Sequence, residues 1–138
     1  MEVNKISLRD TESFSDFFLD YVDDKQALRP LYGRRPEIGS FEQQIAEKEF
    51  SAENRAVLCQ TLENQYQGLT KSGSVARSLA DLAKSNTYTI TTGHQLNIFT
   101  GPLYFIYKIA TVVNAAKLLV EQYPNQNFVP VYWMASED

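Results

Sequence analysis

Cysteine and histidine are almost missing from this chain. Cys59 is the single cysteine and His94 the single histidine in 138 residues. One thiol excludes an internal disulfide and a cysteine-based metal cluster. One imidazole excludes a multi-histidine metal site. Basic runs are missing too: the net charge is −4 and the pI about 5.0. Phosphate backbones are held by clustered Lys and Arg, so nucleic acid is not an expected partner. The opening MEVNKISLRD has no apolar core of a secretory signal. There are no repeats, no low-complexity linker, no G-x-G-x-x-G and no Walker A sequence. These absences predict a cytoplasmic, soluble protein outside the common nucleotide-binding fingerprints.

What is present is ample apolar material, 43% hydrophobic and 12% aromatic, enough for one domain of ordinary size. The organising stretch is 88–138. Residues 88–91 are β-branched and aromatic, which predicts a short strand. A polar loop with a glycine near each end follows over 92–101. In the next eighteen residues, 103–120, only Lys108, Thr111, Asn114 and Lys117 are not apolar, and they share one half of a helix. Thr100 or Gly101 can cap this helix, with Pro102 in its first turn. After Pro124, residues 128–134 form a second apolar run without alternation, as expected of a strand covered on both faces. Pro130 within it argues for an edge strand or a bulge. Strand, loop, helix and strand make a βαβ unit: parallel strands at about 88–91 and 128–134, joined right-handedly by a helix over about 103–122. A membrane span is the rival for that helix. Lys108, Asn114 and Lys117 in mid-run argue against it, so no membrane is expected.

The first 86 residues read as mainly helical. Residues 3–8 suggest a short strand. Ser13 is placed to cap a helix over 14–22, with Phe14, Phe17, Phe18 and Tyr21 on one face. Residues 28–36 form a loop whose three arginines suit either an anion or, more simply, solvent, with Leu31 and Tyr32 as anchors. Helices follow over 41–49 after Ser40, over 52–67 after Ser51 and before Gly68, and over about 75–84. Val57, Leu58 and Leu62 carry the apolar spacing of the third helix, and Val75, Leu79 and Leu82 that of the fourth. Cys59 reads as a small buried hydrophobe rather than a reactive thiol. No internal boundary is visible, so 1–138 reads as one domain.

In open α/β sheets, ligands sit beyond the carboxyl ends of the strands. Two segments qualify here: Thr92-Gly93-His94-Gln95 through Gly101-Pro102, and Ser136-Glu137-Asp138. The glycines permit close backbone approach, and His94 and Gln95 offer donors and acceptors. The helix start at Leu103 offers N–H groups suited to phosphate or carboxylate. Glu137 and Asp138 suit an amine, a ribose hydroxyl or Mg²⁺. A solitary loop histidine is usually a structural hydrogen-bonder; its place between a strand and a long helix makes His94 a candidate.

Three motifs in order closely resemble the bacillithiol-biosynthesis cysteine-adding enzymes. They are Thr92-Gly93-His94-Gln95, then Phe99-Thr100-Gly101-Pro102-Leu103-Tyr104, then Val129-Pro130-Val131-Tyr132-Trp133-Met134-Ala135-Ser136-Glu137-Asp138. Leu28-Arg29-Pro30, Tyr32-Gly33 and Phe41-Glu42-Gln43-Gln44-Ile45 resemble the earlier part of that family. The resemblance implies a Rossmann-like core. It implies ligation of L-cysteine to glucosaminyl-malate in the last step of bacillithiol synthesis, driven by ATP with Mg²⁺ as a possible companion. It makes His94 and Gln95 the catalytic candidates. Thr92, Gly93, Thr100, Gly101, Pro102, Tyr104, Ser136, Glu137 and Asp138 become substrate- or nucleotide-binding candidates. The family admits Gln where His94 stands, and Gln transfers no proton at neutral pH, so His94 is expected to bind or orient a ligand. Family members are several times longer, dimerise through a coiled coil absent here, and continue past the Glu-Asp with His-Asp. On that ground this chain is expected to be an N-terminal fragment. The competing functions are a nucleotide- or small-ligand-binding module without turnover, and a folding or dimerisation segment.

Overall fold

Serine hydroxyls start three of the helices. In the computed structural model, which describes residues 2–99 and 101–136, Ser15 accepts from the Phe18 amide, Ser51 from Asn54 and Ser72 from Val75. They open α1 (Asp16–Val22), α3 (Ala52–Gln65) and α4 (Gly73–Leu82). Between them lies α2 (Phe41–Glu47). Met1, Thr100, Glu137 and Asp138 lie outside the described residues.

Several boundaries differ from the sequence reading. Residues 3–8 form no strand; without a neighbour to pair with, a lone strand has no ladder to stabilise it. Ser13 does not cap α1, because its hydroxyl donates to the Thr11 carbonyl at 2.9 Å. Ser15 takes its place, so the helix starts two residues later than expected. The helices expected to end at Glu49 and Gln67 end at Glu47 and Gln65, with Gly68 beyond the second at φ +76°. The fourth starts earlier than expected because Ser72 supplies its cap. In α3, Val57 is exposed rather than inward.

The chain divides into two compact units, 1–43 and 44–138, and the division falls within α2. No change of composition marks it. The first unit is organised by charge. Arg9 donates to Asp23 and Asp20, and Phe14 stacks on Phe18 at 5.0 Å. The sequence places the 28–36 segment in a loop; it begins instead within a 3-10 helix, Gln26–Leu31. Two of its arginines are engaged within this unit: Arg29, still exposed, pairs with Asp24, and the less exposed Arg35 donates to the Tyr21 and Val22 carbonyls. Leu31 is exposed and anchors nothing, whereas Tyr32 donates its hydroxyl to Asp24 at 2.6 Å.

That bond has a pH consequence. The Tyr32 hydroxyl holds the Asp24 carboxyl below the usual carboxylate range; desolvation opposes it less strongly, and the neighbouring Arg29 and Arg35 each add a smaller lowering effect. A depressed folded-state pKa contributes stability above the unfolded value and loses it as pH falls through the folded one. Asp24→Asn is therefore expected to lower the urea midpoint at neutral pH, with the difference from the parent closing as pH drops below the ordinary carboxylate range. A difference that persists at acid pH would remove Asp24 ionisation as the cause.

The second unit holds the sheet. β1 (Thr87–Gln95) and β2 (Asn127–Ala135) are parallel and in continuous register from Thr87↔Asn127 to Gln95↔Ala135. The crossover is α5 (Leu103–Gln122), as expected. Pro102 is its N-cap rather than part of its first turn. By length and composition α5 is apolar enough to cross a membrane; here it packs on the sheet through Val112, Ala116 and Leu119. Both strands are longer than predicted. The loop expected from residue 92 begins only after Gln95, because β2 supplies a ladder partner that far. Pro130 sits regularly opposite Ile90 with no bulge, in a two-stranded sheet where β2 is an edge. Coverage on both faces holds only for Phe128 and Val129; Trp133 and Met134 are exposed. Arg55 ties α3 to this layer, donating to the Leu82 and Thr87 carbonyls at 2.9 and 3.2 Å.

Candidate ligand site at the carboxyl ends of the strands

The parallel register places His94 and Gln95 beside Met134 and Ala135, so both strands finish at the same edge. Thr92 and Gly93 lie opposite Tyr132 and Trp133. They are strand residues here, not loop residues. Gly93 is required by proximity: a Cβ at that position would lie 2.8 Å from the Trp133 carbonyl oxygen. Tyr132 closes the edge by donating its hydroxyl to the His94 carbonyl at 3.2 Å.

His94 is held from three sides. Its Nε2 lies 2.5 Å from the Tyr104 hydroxyl in the first turn of α5. Its Nδ1 lies 2.8 Å from the Asn97 amide nitrogen and 3.0 Å from the Gln95 carbonyl. Its ring meets Tyr104 at 5.2 Å and the edge of Phe105 at 6.1 Å, and Phe105 in turn packs edge-on against Tyr132 at 5.4 Å. Asn97 also donates to the Gln95 carbonyl at 2.9 Å. Gly101 makes room for it: at φ +64°, with a Cβ that would lie 2.8 Å from Asn97 Cγ, any larger residue here would be strained and would displace Asn97.

Lys108 completes the cluster. Its ammonium donates to the Gly93 carbonyl at 3.1 Å and sits 5.5 Å above the Tyr104 ring. One such bond leaves it further donor capacity and a full positive charge at an exposed position. Together, Tyr104, backed by His94, and Lys108 present a hydroxyl and a cation suited to an anionic oxygen.

Of the residues the sequence singles out, the structure brings His94, Gln95, Gly101 and Tyr104 into one contiguous network. Thr92, Gly93 and Ser136 lie along the same strand ends, and Pro102 caps the adjoining helix. Thr100, Glu137 and Asp138 fall outside the described residues. Asn97, Lys108 and Tyr132 were not singled out as site residues. Lys108 carries a usable signal, since it follows Tyr104 by one helical turn on the same face. No cluster of three or more His, Cys, Asp or Glu suited to a metal occurs among the described residues. The chemistry of the His94, Tyr104 and Lys108 set fits phosphate or carboxylate oxygens.

A separate concavity of about 320 Å³ is lined by Phe50, Ala52, Arg55, Ala56, Cys59, Ala83 and Ser85. It shares no residue with the His94 cluster. Arg55, its cation, is already engaged by two carbonyls and by the Phe50 ring at 5.3 Å. Cys59 is half-buried at its wall rather than enclosed.

Across residues 1–138 the chain matches the family described as bacillithiol biosynthesis BshC, N-terminal Rossmann-like domain. It is 49% identical over 140 residues to the "Putative cysteine ligase BshC" of Flavobacterium johnsoniae, covering all of this chain and 26% of that protein. The correspondingly named protein of Christiangramia forsetii is 48% identical over the same span. That of Shouchella clausii is 32% identical over 94% of this chain. The chain thus spans about a quarter of the length of these curated relatives.

Proposed function

This chain belongs to the BshC family of bacillithiol biosynthesis, as its N-terminal Rossmann-like domain, and we propose that it carries one wall of a cysteine ligase site. The reaction is the joining of L-cysteine to glucosaminyl-malate through the cysteine carboxylate and the glucosamine amine. ATP would supply the activation of that carboxylate. The observation that carries this reading is the gathering of His94, Tyr104 and Lys108 where the two parallel strands end.

Within that reading, Lys108 offsets the charge of a phosphate or carboxylate group and Tyr104 directs a hydrogen bond at it. His94 and Gln95 shape and orient this edge; proton transfer by His94 is not required. The backbone N–H groups at the start of α5 add a weak positive field. Glu137 and Asp138 are assigned the amine or the ribose hydroxyls on their chemistry alone. The remaining groups of the site are expected from parts of the longer protein. The exposed Trp133, Met134, Ile106 and Tyr107 favour this, since apolar side chains in such number ordinarily mark a covered surface.

The test is to incubate the 138-residue chain with ATP, L-cysteine and glucosaminyl-malate and follow the thiol product by mass, with binding of each ligand measured in parallel. Nucleotide or substrate binding without product is the expected result. Turnover at the rate of a full-length relative would place the whole catalytic machinery within 1–138. Absence of any binding would leave the segment a packing or assembly element. A binding module with no part in turnover is the second reading, and it predicts that Tyr104→Phe in a full-length protein changes KM but not kcat.

A further inference from the structure

The hydrogen bonds around His94 can be satisfied in one direction only. The Asn97 amide nitrogen has two hydrogens and two neighbours, His94 Nδ1 at 2.8 Å and the Gln95 carbonyl at 2.9 Å. Donating to both leaves Nδ1 as an acceptor. The opposite arrangement sets an imidazole N–H against an amide N–H across the shorter of the two Nδ1 contacts. With Nδ1 unprotonated, the ring proton sits on Nε2 and is donated to the Tyr104 oxygen at 2.5 Å. A hydroxyl that accepts from the imidazole keeps its own hydrogen for another partner. Tyr104 is half-exposed, on the same face as the Lys108 ammonium that lies over its ring.

We propose that Asn97 is a positioning residue that holds His94 in the Nε2–H tautomer, and that Tyr104, not His94, is the donor presented to an anionic ligand oxygen. The second clause rests on the ligand-site reading above; the first stands without it. Gly101 belongs to the same device, because a side chain there would displace Asn97.

His94 is the only histidine in the chain, so ¹⁵N-histidine labelling gives one unambiguous pair of ring nitrogens. At the alkaline plateau of a pH titration, long-range ¹H–¹⁵N spectra should show a protonated Nε2 and a bare Nδ1. In Asn97→Ala, Nδ1 loses its donor and turns to the Gln95 carbonyl, 3.0 Å away in the parent, and the pattern should reverse. Asn97→Asp fills the same space with an acceptor and should reverse it as well, which covers the case in which the alanine variant does not fold. Orthophosphate is the probe for the ligand. Tyr104→Phe should weaken it about tenfold, the effect of one hydrogen bond to a charged group. Asn97→Ala should do the same, since a bare Nε2 would then capture the Tyr104 hydrogen. A protonated Nδ1 in the parent, or an unchanged tautomer in both Asn97 variants, would overturn the positioning role. Equal phosphate affinity in Tyr104→Phe, or no phosphate binding by the parent, would overturn the donor role. The expected tautomers and phosphate affinities without cysteine ligation in a full-length protein would leave this inference standing and remove the ligase reading instead.

Discussion

Gly93→Ala is expected to lower stability by about 2–3 kcal/mol, the cost of forcing an added group into a site with no room for it. The new methyl would lie 2.8 Å from the Trp133 carbonyl oxygen and 3.1 Å from Trp133 Cβ. The first of these is backbone, so no rotamer change relieves it. Relief requires β2 to move away from β1 where the ladder pairs Gly93 with Trp133. The same movement pulls the Gly93 carbonyl from Lys108, so loss of stability and of ligand affinity should occur together. Gly33→Ala is the control: nothing lies within 4 Å of a Cβ there, and the change should stay within about 0.5 kcal/mol. Urea unfolding of the two variants decides it. Equal midpoints would mean that β1 and β2 do not approach each other this closely.

Leu119→Ala is the second large effect, about 3 kcal/mol. Leu119 is 0% exposed and Leu118 beside it is 52% exposed. The difference is one of helical face, with Val112, Ala116 and Leu119 turned to the sheet. Removing the Leu119 side chain leaves a cavity between α5 and the strands, whereas Leu118→Ala removes a side chain already half in water and should cost under about 1 kcal/mol. A similar cost at both positions would contradict the packing of α5 on this sheet.

The βαβ unit was legible because its signals are local and redundant. The apolar half of α5 and the β-branched start of β1 need nothing distant to be read. The ends of the strands were not legible. Thr92, Gly93, His94 and Gln95 look like a loop by composition, and they become strand because β2 runs beside them in parallel register, a pairing 40 residues apart. Ser13 and Ser15 show the same limit on a smaller scale. Either can cap a helix, and the choice turned on whether the hydroxyl was already bonded in the preceding turn.

At the site, the sequence reached His94, Gln95, Gly101 and Tyr104 through their motifs but not the groups that orient them. Asn97 looks like an ordinary loop asparagine until Gly101 is seen to make space for it. Lys108 was counted only as a polar interruption of a helix; its meaning comes from the Gly93 carbonyl, which the sequence hides inside a predicted loop. Each of the three arginines of residues 28–36 has the chemistry of an anion ligand. The engagement of Arg29 in an ion pair and of Arg35 in carbonyl contacts depends on Asp24 and α1, which no local pattern reveals.

The ligand-site claim is tested most directly by a residue-resolved titration with ATP, following the amide and side-chain resonances of the ¹⁵N-labelled chain. Shifts centred on His94, Tyr104 and Lys108, abolished together by Lys108→Met, are the predicted result. Shifts confined to Arg55, Cys59 and Ser85 around the separate concavity, or no shift at all at saturating nucleotide, would contradict it.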